Sequence, residues 1–222
     1  VSVKLEDGGI PVFTINKGVA WDAITPDEKQ YEALKEKKWD VFCFGTLAQR
    51  SEDNRKTLKR LLSEIQADYF FYDVNLRAGF YTKECIISSL ERCTILKMNE
   101  EEASIVSHFV FGSVQSCETI CRELIKKYPG ISIICISKGP GGAAVYHNGV
   151  YEEVKTIPIK VADTVGAGDA FSAGFLYTYL SGFGISKAAS IACILGTYVA
   201  SKPGSVPEYS EELINEIGQI LK

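Results

Sequence analysis

The chain has 222 residues, 46% hydrophobic and 23% charged, which is ample material for one large buried core and excludes a long disordered tail or a collagen-like repeat. Its 24 Lys+Arg against 28 Asp+Glu leave a net charge of −4 with the signs mixed along the sequence, which argues against nucleic acid as a partner. No run of 18 apolar residues and no signal peptide is seen, so no membrane partner is expected; seven cysteines without paired spacing fit a reducing cytoplasm.

Residues 1–15 alternate at Val1, Val3 and Leu5, pass through Asp7-Gly8-Gly9, and resume at Val12 and Phe13, which predicts a β-hairpin. Thr25-Pro26-Asp27-Glu28 predicts a helix start with Thr25 as cap and Pro26 just inside it. From there strands and helices alternate. Strands are predicted at 41–44, 69–74, 94–98 and 131–136, with helices at 53–65, 83–92, from Asn99, and at 114–128. Apolar strands with helical crossovers imply a parallel sheet covered on both faces. A second hairpin, 143–146 and 150–154 around His147-Asn148-Gly149, makes the sheet mixed, and helices follow at 169–180, 186–201 and 210–221.

The segment Asp163-Thr164-Val165-Gly166-Ala167-Gly168-Asp169-Ala170-Phe171 bends small residues into a helix whose first turn carries an acid. Backbone N–H groups at Gly166, Ala167 and Gly168, with the positive helix end, would suit charge developing on a transferred phosphoryl group. Asp169 could accept a hydroxyl proton. The same residues equally suit a plain bend with an acid favoured by the helix dipole, and the local pattern leaves both readings open. Asn99-Glu100-Glu101-Glu102 reads as a capping box. Asp73-Val74-Asn75-Leu76-Arg77 leaves the C-terminal end of a predicted strand, where open α/β sheets bind ligands, although a polar turn would look the same. Ser137-Lys138-Gly139-Pro140-Gly141-Gly142-Ala143 contains a GxGxxA spacing, but a dinucleotide fingerprint must open a helix and Ala143 opens a strand-like alternation. Phosphate-loop, esterase and zincin signatures are absent. Cys117 and Cys121 lack further ligands and read as helix cysteines, and His108 and His147 as structural or surface residues.

Taken in order, these segments resemble the PfkB (ribokinase-like) carbohydrate kinase family, whose DTxGAGDxF signature matches Asp163 to Phe171; the 73–77, 44–50 and 19–22 segments resemble its fructokinase-like branch. The resemblance implies a three-layer α/β/α fold with a mainly parallel central sheet. Residues 1–16 would be the remnant of a β-lid hairpin and 17–222 the nucleotide-binding and catalytic core. It also implies a catalytic base at Asp169 and an anion hole at Gly166, Ala167 and Gly168. Nucleotide contacts would fall at Asn99, Ser137, Gly139, Gly142 and Gly168, and substrate contacts at Asn75, Arg77 and Asp169. Glu102 would hold Mg²⁺ through water, and a looser match places a monovalent cation such as K⁺ near Asp163. The implied activity is ATP-dependent phosphorylation of a sugar's primary hydroxyl, with fructose favoured over ribose, 2-keto-3-deoxygluconate or a nucleoside. Lid strands that pair between subunits in that family would make a homodimer. Relatives carry further N-terminal strands, and this chain starts at Val1 inside a strand-like alternation, so an N-terminal portion is expected to be missing. A nucleotide-binding core without catalysis is the alternative.

Overall fold

A computed structural model describes residues 2–6 and 10–222, with side chains from residue 14 onward. Strands β1 (Ser2–Glu6) and β2 (Ile10–Thr14) pair antiparallel as a two-stranded sheet of their own, Ser2 opposite Thr14 and Glu6 opposite Ile10. The expected turn at Asp7-Gly8-Gly9 lies outside the described residues.

Helix α1 (Glu28–Lys35) starts later than the Thr25-Pro26 signal predicts. Asp27 Oδ1 accepts the Gln30 N–H while Gln30 Oε1 accepts the Asp27 N–H, both at 2.8 Å. This reciprocal cap satisfies two otherwise orphaned donors, and Pro26 precedes the cap instead of following it. Six strands then form the main sheet: β3 (Lys38–Gly45), β4 (Gln66–Asp73), β5 (Ile95–Asn99), β6 (Ile133–Ser137), β7 (Ala143–His147) and β8 (Val150–Val154), in that spatial order. The first four run parallel and β7 and β8 are antiparallel, as the two hairpin partners must be.

Period-two alternation sorts the strand side chains to two faces. On one face Tyr72, Leu96, Met98, Ile134 and Ile136 pack under α3 (Lys83–Leu90), α4 (Glu100–Phe111) and α5 (Cys117–Lys127). On the other, Phe71, Ile95, Ile133 and Cys135 pack under α6 (Ala167–Leu180) and α7 (Ile185–Ala200). Fully burying each isoleucine contributes about 1.5–3 kcal/mol, and all three isoleucines of β6 are completely buried. The result is three layers, α/β/α. Helix α2 (Glu52–Glu64), capped by Ser51, joins β3 to β4, and α8 (Glu211–Ile220), capped by Ser210, ends the chain. Helices α6 and α7 approach closely: a side chain at Gly174 would meet Leu195 Cδ1 at 2.7 Å.

Candidate active site

Parallel strands all deliver their C-terminal ends to one edge of the sheet, and the polar residues expected to act gather there. Asp73 ends β4, Asn99 ends β5 and Ser137 ends β6, with Asn99 and Ser137 in register. The N-terminus of α6 opens over the same region. Gly166 is its cap, at φ +83°, where a Cβ would also collide with the Ser205 carbonyl oxygen. Only glycine fits there without strain. Asp169 is the third residue of the helix and is exposed, so its carboxylate is open to a ligand. Of the three expected donors, the Ala167 N–H is engaged within the bend, donating to Thr164 O at 3.2 Å. Gly168 and Asp169 lie in the first turn, whose N–H groups have no intrahelical carbonyl to meet.

Glu102 and Asn99 close the capping box that begins α4: Asn99 Oδ1 accepts the Glu102 N–H and Glu102 Oε2 accepts the Asn99 N–H, both at 2.8 Å. The second oxygen, Oε1, accepts the Leu76 N–H at 2.8 Å, which ties the loop after β4 to α4. With 5% exposure and both oxygens occupied by amides, this carboxylate suits a water-mediated contact to a metal and not direct ligation. Among the described residues no group of three His, Cys, Asp or Glu side chains could hold a metal ion by itself. That donor set still fits magnesium arriving with phosphates and keeping its waters.

In the tethered loop, Asn75 adopts φ +39°, an uncommon conformation for a non-glycine residue. Arg77 is exposed and donates from Nη1 to Leu76 O at 3.0 Å. After β6 the turn closes on itself: Lys138 N–H donates to Gly142 O, Gly141 N–H to Lys138 O and Gly142 N–H to Gly139 O. Gly139 and Gly142 have positive φ, and Gly142 passes so near the Val154 carbonyl that a Cβ would collide with it. Ala143 then enters a strand, which rules out a helix-opening dinucleotide loop here. Asp163 is half-buried; its Oδ1 accepts the Val165 N–H at 2.9 Å and its own N–H reaches Ala200 O at 3.3 Å.

Two charged pairs at this end escaped the sequence reading. Lys97 Nζ lies 3.1 and 3.2 Å from the two oxygens of Asp73, directly across the β4–β5 register, and Ser172 Oγ donates to Asp73 Oδ2 at 3.2 Å. Burial raises the Asp73 carboxyl above its ordinary value, against the lowering by Lys97, and nearby Asp169 adds to the rise. A Lys within an otherwise apolar strand was the available signal. Arg50 forms the second pair, with two contacts to Asp22 at 2.6 and 2.7 Å, its guanidinium lying over the Trp21 and Phe80 rings. A cleft of about 450 Å³ lined by Lys17, Asp22, Arg50, Arg55, Phe80 and Thr82 adjoins that pair, and no residue of the 166–169 bend lines it.

Comparison with known proteins agrees with this geometry. The profile of the pfkB family of carbohydrate kinases matches residues 9–211. A fructokinase of Escherichia coli is 28% identical over 193 residues, which cover 84% of this chain and 60% of that protein. The chain therefore spans less than two thirds of that relative's length. Among solved structures, a fructokinase with bound ATP from Xylella fastidiosa superposes with a TM-score of 0.78 at 19% identity, covering 97% of this chain and 73% of the other. A fructokinase from Vibrio cholerae bound to fructose, ADP and calcium gives 0.68 at 21% identity, covering 84% and 62%. At these identities the two structures establish the ribokinase-like fold that they share with this chain.

Proposed function

The chain belongs to the pfkB family of carbohydrate kinases, and from that premise we propose that it transfers the γ-phosphate of ATP to a primary hydroxyl of a sugar, with fructose the favoured acceptor. The observation that carries the reading is the exposed Asp169 in the first turn of α6, behind a glycine cap that no larger residue could replace without strain.

In this mechanism the sugar hydroxyl gives its proton to the Asp169 carboxylate as its oxygen bonds to the γ-phosphorus and the bond to the ADP oxygen breaks. Negative charge spreading over the transferring group meets the N–H donors of the Gly166–Gly168 bend and the positive end of α6. Asn75 and Arg77, on the loop tied down by Glu102, face the acceptor or its phosphate. Asn99, Ser137, Gly139, Gly142 and Gly168 border the nucleotide, though the Gly142 amide already serves the turn and only the remaining groups of that loop are available to a ligand. A magnesium ion bound with the nucleotide would neutralise phosphate charge, with Glu102 holding it through water. Asp163 would lie beside a potassium ion. The fructose and ADP named for the Vibrio cholerae fructokinase support the choice of acceptor and donor, as does the fructokinase of Escherichia coli among the relatives. Seven free cysteines support a cytoplasmic location, and among the described residues no helix is long and apolar enough to cross a membrane. The β1–β2 hairpin is proposed as a lid over the sugar, paired with a second copy in a homodimer.

The test is ADP release from MgATP with fructose, ribose, 2-keto-3-deoxygluconate and adenosine as acceptors. Turnover with fructose above the others is expected, and Asp169→Asn should lower it by roughly 10²–10⁴-fold while MgATP still binds. Near-normal turnover in that variant at saturating acceptor would overturn the assignment of the base. The second reading, a nucleotide-binding core without turnover, is favoured by the 60% of the Escherichia coli relative that the chain covers; MgATP binding with no ADP release from any acceptor would decide for it.

A further inference from the structure

We infer that Lys97 is a positioning residue of this site, placing a fixed positive charge beneath the first turn of α6 and holding that turn to the sheet through Asp73 and Ser172. The inference rests on the kinase reading above.

Lys97 stands in β5 between Leu96 and Met98, both fully buried, and is itself only 6% exposed. Buried lysines occur almost only when paired, and Asp73 supplies the partner. Stability alone does not account for the pair. Replacing a buried ion pair by well-packed apolar residues is often neutral or stabilising, and every neighbour along β5 is apolar except Asn99 at its end.

The surroundings give the pair another role. A Cβ built on Gly168 would lie 3.4 Å from Lys97 Nζ, so the ammonium sits against the backbone of the bend with no side chain between them. Ser172 lies one turn beyond Gly168 on α6 and donates to the same carboxylate that holds Lys97. Asp73 thus receives one hydrogen bond from α6 and the ammonium from β5, which locks the helix start to the strand end. A cation beneath a helix N-terminus opposes the helix dipole. That arrangement becomes favourable when an anion occupies the bend, where a preorganised charge away from water acts strongly and needs no rearrangement. Local rules broken in this way are expected at sites built for a ligand.

The test compares Lys97→Met/Asp73→Asn, which removes both charges together, and Lys97→Gln, which keeps a polar partner for Asp73, with the unaltered chain. Each is measured for melting temperature, for calorimetric affinity toward MgADP, and for affinity toward MgADP with aluminium fluoride, a mimic of the transferring group that requires no turnover. Both variants are expected to bind MgADP as the unaltered chain does and the mimic at least about tenfold more weakly. Loss of melting temperature with an unchanged ratio of mimic to MgADP affinity, in either variant that folds, would show a merely structural pair and overturn the inference. Failure of the unaltered chain to bind MgADP would instead strike the kinase reading itself.

Discussion

Two glycine-rich segments border the same end of the sheet, one at 137–142 after β6 and the other at 163–168 before α6. In both, a glycine with positive φ is required because a backbone carbonyl passes where its Cβ would be: Val154 O over Gly142 and Ser205 O over Gly166. Their amides are used differently. The first segment spends its N–H groups on its own turn and runs into a strand. The second runs into a helix, whose first turn leaves donors unpaired by construction. Glycine content therefore reports close backbone approach in both segments, while the element that follows decides which can receive a developing anion.

Gly166→Ala tests this contrast most severely. The substitution forces a side chain into the left-handed region and against Ser205, so the bend must move. Turnover is expected to fall by about 100-fold or more, a loss of the order seen on removing an oxyanion donor, measured at a temperature where circular dichroism shows the variant folded. Gly142→Ala meets a comparable collision, with Val154, in a segment whose donors are already satisfied. Its main effect is expected on stability, about 3 kcal/mol, or a melting temperature lower by roughly 6–12 °C for a chain of this size. The folded fraction should keep a kcat close to that of the unaltered chain. Equal losses of kcat in the two variants, each corrected for the fraction folded, would erase the distinction between the segments.

This contrast was only partly legible in the sequence. The runs Ile131 to Ile136 and Thr94 to Met98 announced central strands because both faces of the sheet are covered. The strand-like alternation after Gly142 correctly excluded a dinucleotide loop. Strands β3 and β4 begin at Lys38 and Gln66, earlier than their apolar runs suggest. Their first residues are paired in register yet exposed, Lys38 forming a surface ion pair with Asp68 at 2.6 Å, so hydrophobicity marks only the covered part of each strand. The Lys97–Asp73 pair was hidden because 24 residues separate its members and only the β4–β5 register brings them face to face. Glu102 was legible as a cap, but its second hydrogen bond, to the Leu76 amide, depends on how the loop after β4 folds back.

Gly139→Ala is expected to have the smallest effect and to sharpen the comparison most. Gly139 shares the 137–142 segment with Gly142 and also has positive φ, +53°, but a Cβ there would meet nothing within 4 Å. The substitution isolates the conformational cost from the steric one. Placing alanine in the left-handed region costs about 1–2 kcal/mol, or roughly 2–8 °C in melting temperature. Subtracting that from the Gly142→Ala loss leaves the contribution of the Val154 contact. If Gly139→Ala instead destabilised as much as Gly142→Ala, backbone conformation alone would explain this segment. The close passage of β8 over Gly142 would then carry no weight, and the first half of the comparison would rest on the internal hydrogen bonds of the turn.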